Sequence, residues 1–308
     1  MANVLLQSKE GTQRDRAVVA QSGHQVGATA FSRQLAIDPL YNRSGSFRVE
    51  LDEAWNCPYV PHGGLISAVA ARAMQTEIGK PDQRLRTMTA MFAAPVLAGP
   101  AEIDVTVLRS GRSSSNCSAT LRSEGKTAGL SAVAFFGAPR PALEFVDLTM
   151  PDVPLPETCV SVRDSSLQLG NFWHQVDERR ALGHERDEQY IPTTSECAFW
   201  YRFDEPPMLT DGTLDPLAVL TLCDTMPMAI YERMGPSDSE WEVVSIDLTV
   251  HLLAEAHSEW ILGVNRARYA GDGYVSVENE LWDPECGLVA YATEAQVVQF
   301  SSPPVTTV

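Results

Sequence analysis

The stretch HGGLISAVAARAMQTEI, residues 62–78, and its distant counterpart DPLAVLTLCDTMPMAIYERM, residues 215–234, decide how this chain is read. Each is an apolar run long enough for a helix. Gly63 and Gly64 open the first; in the second, Asp215 suits an N-cap and Pro216 the first helical position. Both runs are apolar nearly all round, which predicts helices buried on most faces rather than lying on a surface. Four strand-like segments follow each run. After the first they are Leu85–Ala94, Glu102–Arg109, Asn116–Ser123 and Ala128–Phe136. After the second they are Glu242–Leu253, Glu259–Arg268, Tyr274–Trp282 and Leu288–Phe300. Val, Ile, Thr and Phe are frequent in them, and Gly, Pro or Ser clusters separate them. A further strand candidate precedes each helix, Gly45–Leu51 and Ala198–Phe203. Gly129-Leu130 and Gly287-Leu288 occupy matching points, offset by about 158 residues, so the chain reads as a duplication.

A proline-dense segment separates the halves. Pro139, Pro141, Pro151, Pro154 and Pro156 exclude helix interiors and central strands, which predicts a linker over 139–158. The predicted organisation is a flexible N-terminal segment (1–30), a first unit (31–138), the linker, a second unit (159–300) and a tail (301–308). The segment Phe172 to Ser195 carries mixed charge runs, 177–180 and 185–188, and reads as an exposed helical insert or flap.

Composition narrows the function. Of the 308 residues, 44% are hydrophobic and 20% charged, too apolar for disorder. No run approaches the roughly 20 apolar residues of a spanning helix. A net charge of −17 opposes wrapping around nucleic acid. The six cysteines form no C-x-x-C pair, and the first 22 residues lack the pattern of a signal peptide, so reduced thiols and a cytoplasmic location are expected. Arg109, Arg112, Arg122 and Lys126 form a basic cluster, with Arg112 a candidate for phosphate contact. Nucleophile-elbow, P-loop and dinucleotide motifs are missing from the sequence.

Asp224 is the outstanding candidate for chemistry. It lies in a nearly uncharged helical run, where a buried carboxylate needs a partner or a raised pKa. Pro227, three residues on, frees the Cys223 carbonyl and predicts a kink. Gly63 and Gly64 place open N–H groups at a helix start, where anions or a substrate carbonyl are met; the alternative is a glycine pair needed for close helix–sheet packing. His62, just outside that helix, reads as structural or as a proton-transfer group paired with Asp224.

Several short matches extend the reading: Val60-Pro61-His62-Gly63-Gly64, Gly111-Arg112-Ser113-Ser114-Ser115, Leu222-Cys223-Asp224, Ser245-Ile246-Asp247-Leu248-Thr249-Val250 and Gly287-Leu288-Val289-Ala290. In their order and spacing, from about Tyr41 to Phe300, the chain resembles the double hot-dog acyl-CoA thioesterases of the thioesterase II type and their thioesterase-like relatives. The resemblance implies an α+β fold of two tandem hot-dog units, with antiparallel sheets around long central helices. It implies an Asp in the second helix, a Thr or Ser early in the next strand and a Gln in the last strand, which fall on Asp224, Ser245 and Glu294. Glu294 is a departure, and Gln296, two residues on, faces the same side of a strand. Glu294 beside Asp224 would raise the pKa of one carboxyl group, leaving one as proton donor and the other as base. The function so implied is hydrolysis of an acyl thioester by Asp-assisted attack of water, with an oxyanion held by the Gly63 and Gly64 amides. CoA or phosphopantetheine enters as part of the substrate, with no metal or redox cofactor, and a homo-oligomer is expected. The rival readings are a dehydratase, a carrier-protein-directed thioesterase and a non-hydrolytic acyl-thioester-binding protein.

Overall fold

A computed structural model describes residues 28–164, 170–185, 188–235 and 241–300. The ends of the expected N-terminal segment and tail, 1–27 and 301–308, lie outside these, as do Arg186 and Asp187 of the expected insert.

The first unit runs from a short helix α1 (Ala30–Gln34) through β1 (Asp38–Pro39) and β2 (Ser46–Leu51) to α2 (Gly63–Ile78). Strands β3 (Arg84–Phe92), β4 (Gly99–Ser110), β5 (Ser114–Ser123) and β6 (Leu130–Gly137) follow. Alternation sets their faces: Ile103, Val105, Cys117, Ala119, Leu121, Ala132 and Ala134 turn inward and are buried. They pack beneath α2, whose Leu65, Val69, Ala73 and Met74 are inaccessible. Gly79, left-handed at φ 61°, ends the helix.

The second unit contains β7 (Val176–Leu182), β8 (Glu196–Phe203), α3 (Pro216–Leu222), α4 (Met228–Met234), β9 (Trp241–Ser245), β10 (Asp247–Leu252), β11 (Ile261–Gly271), β12 (Tyr274–Asp283) and β13 (Gly287–Phe300). Asp215 caps α3 by accepting from the Leu217 amide at 2.9 Å.

All strands join one antiparallel sheet in the order β1-β2-β4-β5-β6-β3-β10-β13-β12-β11-β8-β7, with β9 paired to the far end of β13. The units meet at β3 and β10, where Thr89 faces Thr249 and their hydroxyls lie 3.0 Å apart.

Three expectations are corrected. The run 217–234 is two seven-residue helices rather than one long helix, because Pro227 has no N–H to continue the ladder. The segment Glu242–Leu253 divides at Ile246, where β9 and β10 take different stretches of β13 as partner. The charged segment after Phe172 is not a helical insert: Val176–Leu182 is an edge strand on β8, and Asp177 and Glu178 are buried. Charge patterning reads such a run as solvated, but strand alternation turns Glu178 inward beside Tyr201.

Residues 138–155 contain neither helix nor strand. Met150, Val153 and Cys159 cover the outer face of the second unit at Trp200, Trp260 and Trp282. The Trp200 indole donates to the Pro154 carbonyl at 2.8 Å. Trp200→Phe should therefore cost about 1 kcal/mol in denaturant unfolding. It should also speed limited proteolysis between residues 139 and 158; unchanged cleavage would show that this segment is held without the indole.

Candidate active site

The site forms where the start of α2 meets the end of α3. The two helices run antiparallel, tied at their other contact by Arg72 Nη2 donating to Asp215 Oδ2 at 2.9 Å. Their approach is too close for side chains. A Cβ on Gly64 would lie 2.3 Å from the Thr221 carbonyl oxygen, and one on Gly63 would lie 2.6 Å from Asp224 Oδ2. The glycine pair is thus a requirement of helix–helix contact rather than of helix–sheet contact.

That contact delivers Asp224 to an amide of the other half. Gly64 N–H donates to Asp224 Oδ2 at 2.5 Å, and the carboxyl is only 8% exposed. A carboxylate is stabilised there by the hydrogen bond and by the positive end of the α2 dipole. The loop holding Asp224 is also fixed from the sheet. Asn279 Nδ2 on β12 lies 3.3 Å from both the Leu222 and Cys223 carbonyls and 3.1 Å from Thr225 Oγ1. These are the carbonyls that the helix break releases. Cys223 itself is inert, since burial pushes its thiol well up.

Glu294 reaches the same place from β13. It is 3% exposed and within hydrogen-bonding reach of the Asp224 carboxyl. Its Oε2 accepts from Gln296 Nε2 at 2.5 Å and from Ser245 Oγ at 3.3 Å. Gln296 stands opposite Ser245 in the β13–β9 pairing, so all three side chains share the inward face. Burial first, and the Asp224 charge second, push Glu294 well above the usual carboxylate range. Its Oε1 meets no N–H or O–H donor. The shift favours the uncharged form of Glu294.

His62 closes one side. Its ring stacks on Phe172 with centroids 4.0 Å apart and planes 10° apart, and its Nδ1 is 3.6 Å from Asp224 Oδ2. Burial lowers its pKa, opposed by the Asp224 charge, so the imidazole is neutral at physiological pH. Phe172 comes from the segment read as a charged insert, where no sequence signal singled it out.

The structure therefore brings together Asp224, Ser245, Glu294, Gly63, Gly64 and His62. It does not bring Arg112 to them. Lys80 Nζ and Gln83 Nε2, just beyond the C-terminal end of α2, bond the Gly111 and Arg112 carbonyls. That hairpin is thus a helix length, about 24 Å at 1.5 Å per residue, from Gly63. Arg122 of the same basic cluster is neutralised by Glu102 and Asp104. Sequence reasoning missed Asn279; the signal was an amide in the inward set Val275, Val277, Asn279, Leu281. Among the described residues no group of His, Cys, Asp or Glu is arranged to hold a metal ion, and no helix is long and apolar enough to cross a membrane.

A broken buried helix carrying a carboxylate is thus wrapped by an antiparallel sheet and aimed at the helix start of a sister unit. The profile of the acyl-CoA thioesterase N-terminal domain matches residues 51–137, and that of the C-terminal domain matches residues 156–298. The chain belongs to the acyl-CoA thioesterase family and is a thioester hydrolase. Among solved structures, it is similar to a conserved hot-dog-fold protein of unknown function from Alicyclobacillus acidocaldarius. That likeness has a TM-score of 0.75 and 24% identity, over 90% of this chain and 100% of that one. It is also similar to an acyl-CoA thioesterase II from Mycobacterium marinum, with a TM-score of 0.69 and 18% identity over 89% of this chain and 99% of that one. No curated protein matches in a sequence search.

Gly64→Ala forces a methyl into the α2–α3 contact and separates Asp224 from its amide. Overpacking of this kind costs about 1–3 kcal/mol. Thermal unfolding should show that loss, and thioester cleavage should fall further than the population of folded protein accounts for.

Proposed function

We propose that this protein hydrolyses acyl-CoA by Asp224-assisted attack of water, with Glu294 acting as a neutral acid in the place where the family resemblance expects an amide. The observation that carries this reading is the Asp224 carboxyl, buried, held by the Gly64 amide and set beside a second carboxyl group whose pKa burial raises. Asp224 accepts a proton from water as the oxygen attacks the thioester carbonyl. The tetrahedral oxyanion then collapses, the carbon–sulfur bond breaks, and the proton passes to the departing thiolate. The Gly64 N–H already serves Asp224, so it orients the base. The Gly63 N–H, at the first position of α2 and bonded to nothing among the described residues, serves the oxyanion.

Glu294 explains itself in this scheme. A protonated carboxyl group has the shape of a glutamine amide and, like it, presents a donor on one side and an acceptor on the other. Its proton points to Asp224, while its other oxygen accepts from Gln296 and Ser245. Ser245 thus acts by holding Glu294. No step calls for a metal or redox group. Delivery of the acyl group by a carrier protein, and assembly of copies through sheet edges, remain compatible with the same chemistry.

The test follows free thiol release from acyl-CoA esters of graded length. Asp224→Asn should lower kcat by on the order of a hundredfold or more. Glu294→Gln should keep cleavage within about tenfold of wild type, whereas Glu294→Ala should not. A dead Glu294→Gln enzyme would show that the proton of Glu294 is transferred rather than merely shared. Binding of acyl-CoA without thiol release would favour a binding protein.

The same substitution has a signature in stability. The folded state holds the Glu294 proton more tightly than the unfolded chain, where the ordinary value is 4.5. Stability is therefore fullest below that pH and declines as pH climbs toward the raised folded value. Denaturation midpoints of Glu294→Gln should lack this decline, because an amide does not ionise.

A further inference from the structure

The inward faces of the two units differ in a way that burial does not require. In the first unit, β2, β4 and β5 turn Phe47, Val49, Ile103, Val105, Ala119 and Leu121 toward α2. In the second, the corresponding face carries Tyr201 on β8, Asn265 on β11 and Asn279 on β12. Asn265 and Asn279 are direct cross-strand partners, and Tyr201 joins the same face through its pairing with Ile261, four residues before Asn265 on that strand. All three are completely buried. The Tyr201 hydroxyl faces Asn265 and Thr225, but it, both polar atoms of the Asn265 amide and Asn279 Oδ1 make no hydrogen bond of normal geometry among the described residues.

Such atoms are costly in an apolar interior, and each one normally has a partner in a native protein. Their position links them to the reacting centre. The Asn279 amide bonds the Leu222 and Cys223 carbonyls and Thr225 Oγ1, on both sides of Asp224. Gly263 lies between them; a Cβ there would sit 2.7 Å from the Tyr201 ring and 3.3 Å from Asn279 Oδ1. The missing side chain is what lets the phenol lie against the amides.

We propose that Tyr201, Asn265 and Asn279 form a subsite for a hydroxyl or keto group on the acyl chain, close to the thioester, so that this hydrolase selects oxygenated over saturated acyl groups. The inference rests on the hydrolase reading and names its substrate class. A hydroxyl can donate to Asn279 Oδ1 or Asn265 Oδ1 and accept from Asn265 Nδ2, with the Tyr201 hydroxyl able to do either. A ketone can accept from Asn265 Nδ2 and Tyr201. A saturated chain leaves the same atoms bare, and sites built to bond a substrate oxygen reject the analogue that lacks it. An anionic substituent is disfavoured, because the Glu178 charge acts on Tyr201 and Asp224 lies beside the turn.

The experiment compares kcat/KM for saturated acyl-CoA esters with that for β- and γ-hydroxyacyl-CoA esters of equal length, read by thiol release. The expected result is a preference of at least about tenfold for a hydroxylated ester. Tyr201→Phe and Asn265→Leu should each erode it. Tyr201→Phe removes an oxygen whose contacts with Thr225 and Asn265 fall short of normal hydrogen-bond geometry, so thermal unfolding should stay near wild type and keep the comparison clean. Equal rates on both ester classes, or a preference untouched by both variants, would overturn the proposal and leave the cluster as a site for ordered water only. If no ester is cleaved, the hydrolase reading fails separately. Affinity for non-hydrolysable S-(2-oxoalkyl)-CoA analogues, with and without the hydroxyl, then decides: tighter binding of the hydroxylated analogue upholds the subsite, and equal binding removes it.

Discussion

A carboxylate taken out of water must be held, and the contact of Asp224 with the Gly64 amide is how this chain does it. The rest of the architecture can be understood as what that contact needs. It requires two helices to approach within the reach of a backbone hydrogen bond, hence two glycines in a row at the start of α2. It requires the opposing helix to end just there, hence Pro227 and the break after Cys223. It requires the freed carbonyls to be satisfied, hence an asparagine on an otherwise apolar strand face. Each of these residues is costly in its local element. Together they make one stable arrangement.

Duplication gives the fold a division of labour. The first unit keeps an unbroken helix over an apolar sheet face and contributes the end of a dipole and its amides. The second has a broken helix over a face that contains Glu294, Gln296, Asn279, Asn265 and Tyr201. Polar residues on a buried face are tolerated only where they bond one another or something that enters. The sheet is continuous across β3 and β10, which fixes the two units in register. Amide and carboxyl are thereby placed by the same framework that places the core.

The pairing of Glu294 with Asp224 shows how environment sets chemical identity. On a solvated strand, a glutamate next to an aspartate is a second negative charge. Sealed from water and set beside Asp224, its carboxyl is pushed well above the usual carboxylate range, which favours the uncharged form. Gln296 and Ser245 hold its Oε2.

The sequence by itself determined the repeated helix-and-strand order, the N-cap at Asp215, the weakness at Pro227 and the acidic residue isolated in apolar surroundings. All of these are local patterns, in which neighbours along the chain supply the constraint. Alternation also placed Glu294 and Gln296 on one strand face. What it left open is whatever depends on contact between distant segments. The long second helix dissolved into two, because a proline breaks the ladder and Asn279, fifty-odd residues away, caps the released carbonyls. The charged run at 176–182 became an edge strand, because β8 offered a partner. Arg112 and Gly63, both candidates for meeting the substrate, proved to lie at opposite ends of α2. The role of the Gly64 amide was decided by tertiary structure alone. Which acceptor a helix-start N–H serves depends on what the fold sets in front of it, and here that is a carboxyl group 160 residues further along the chain.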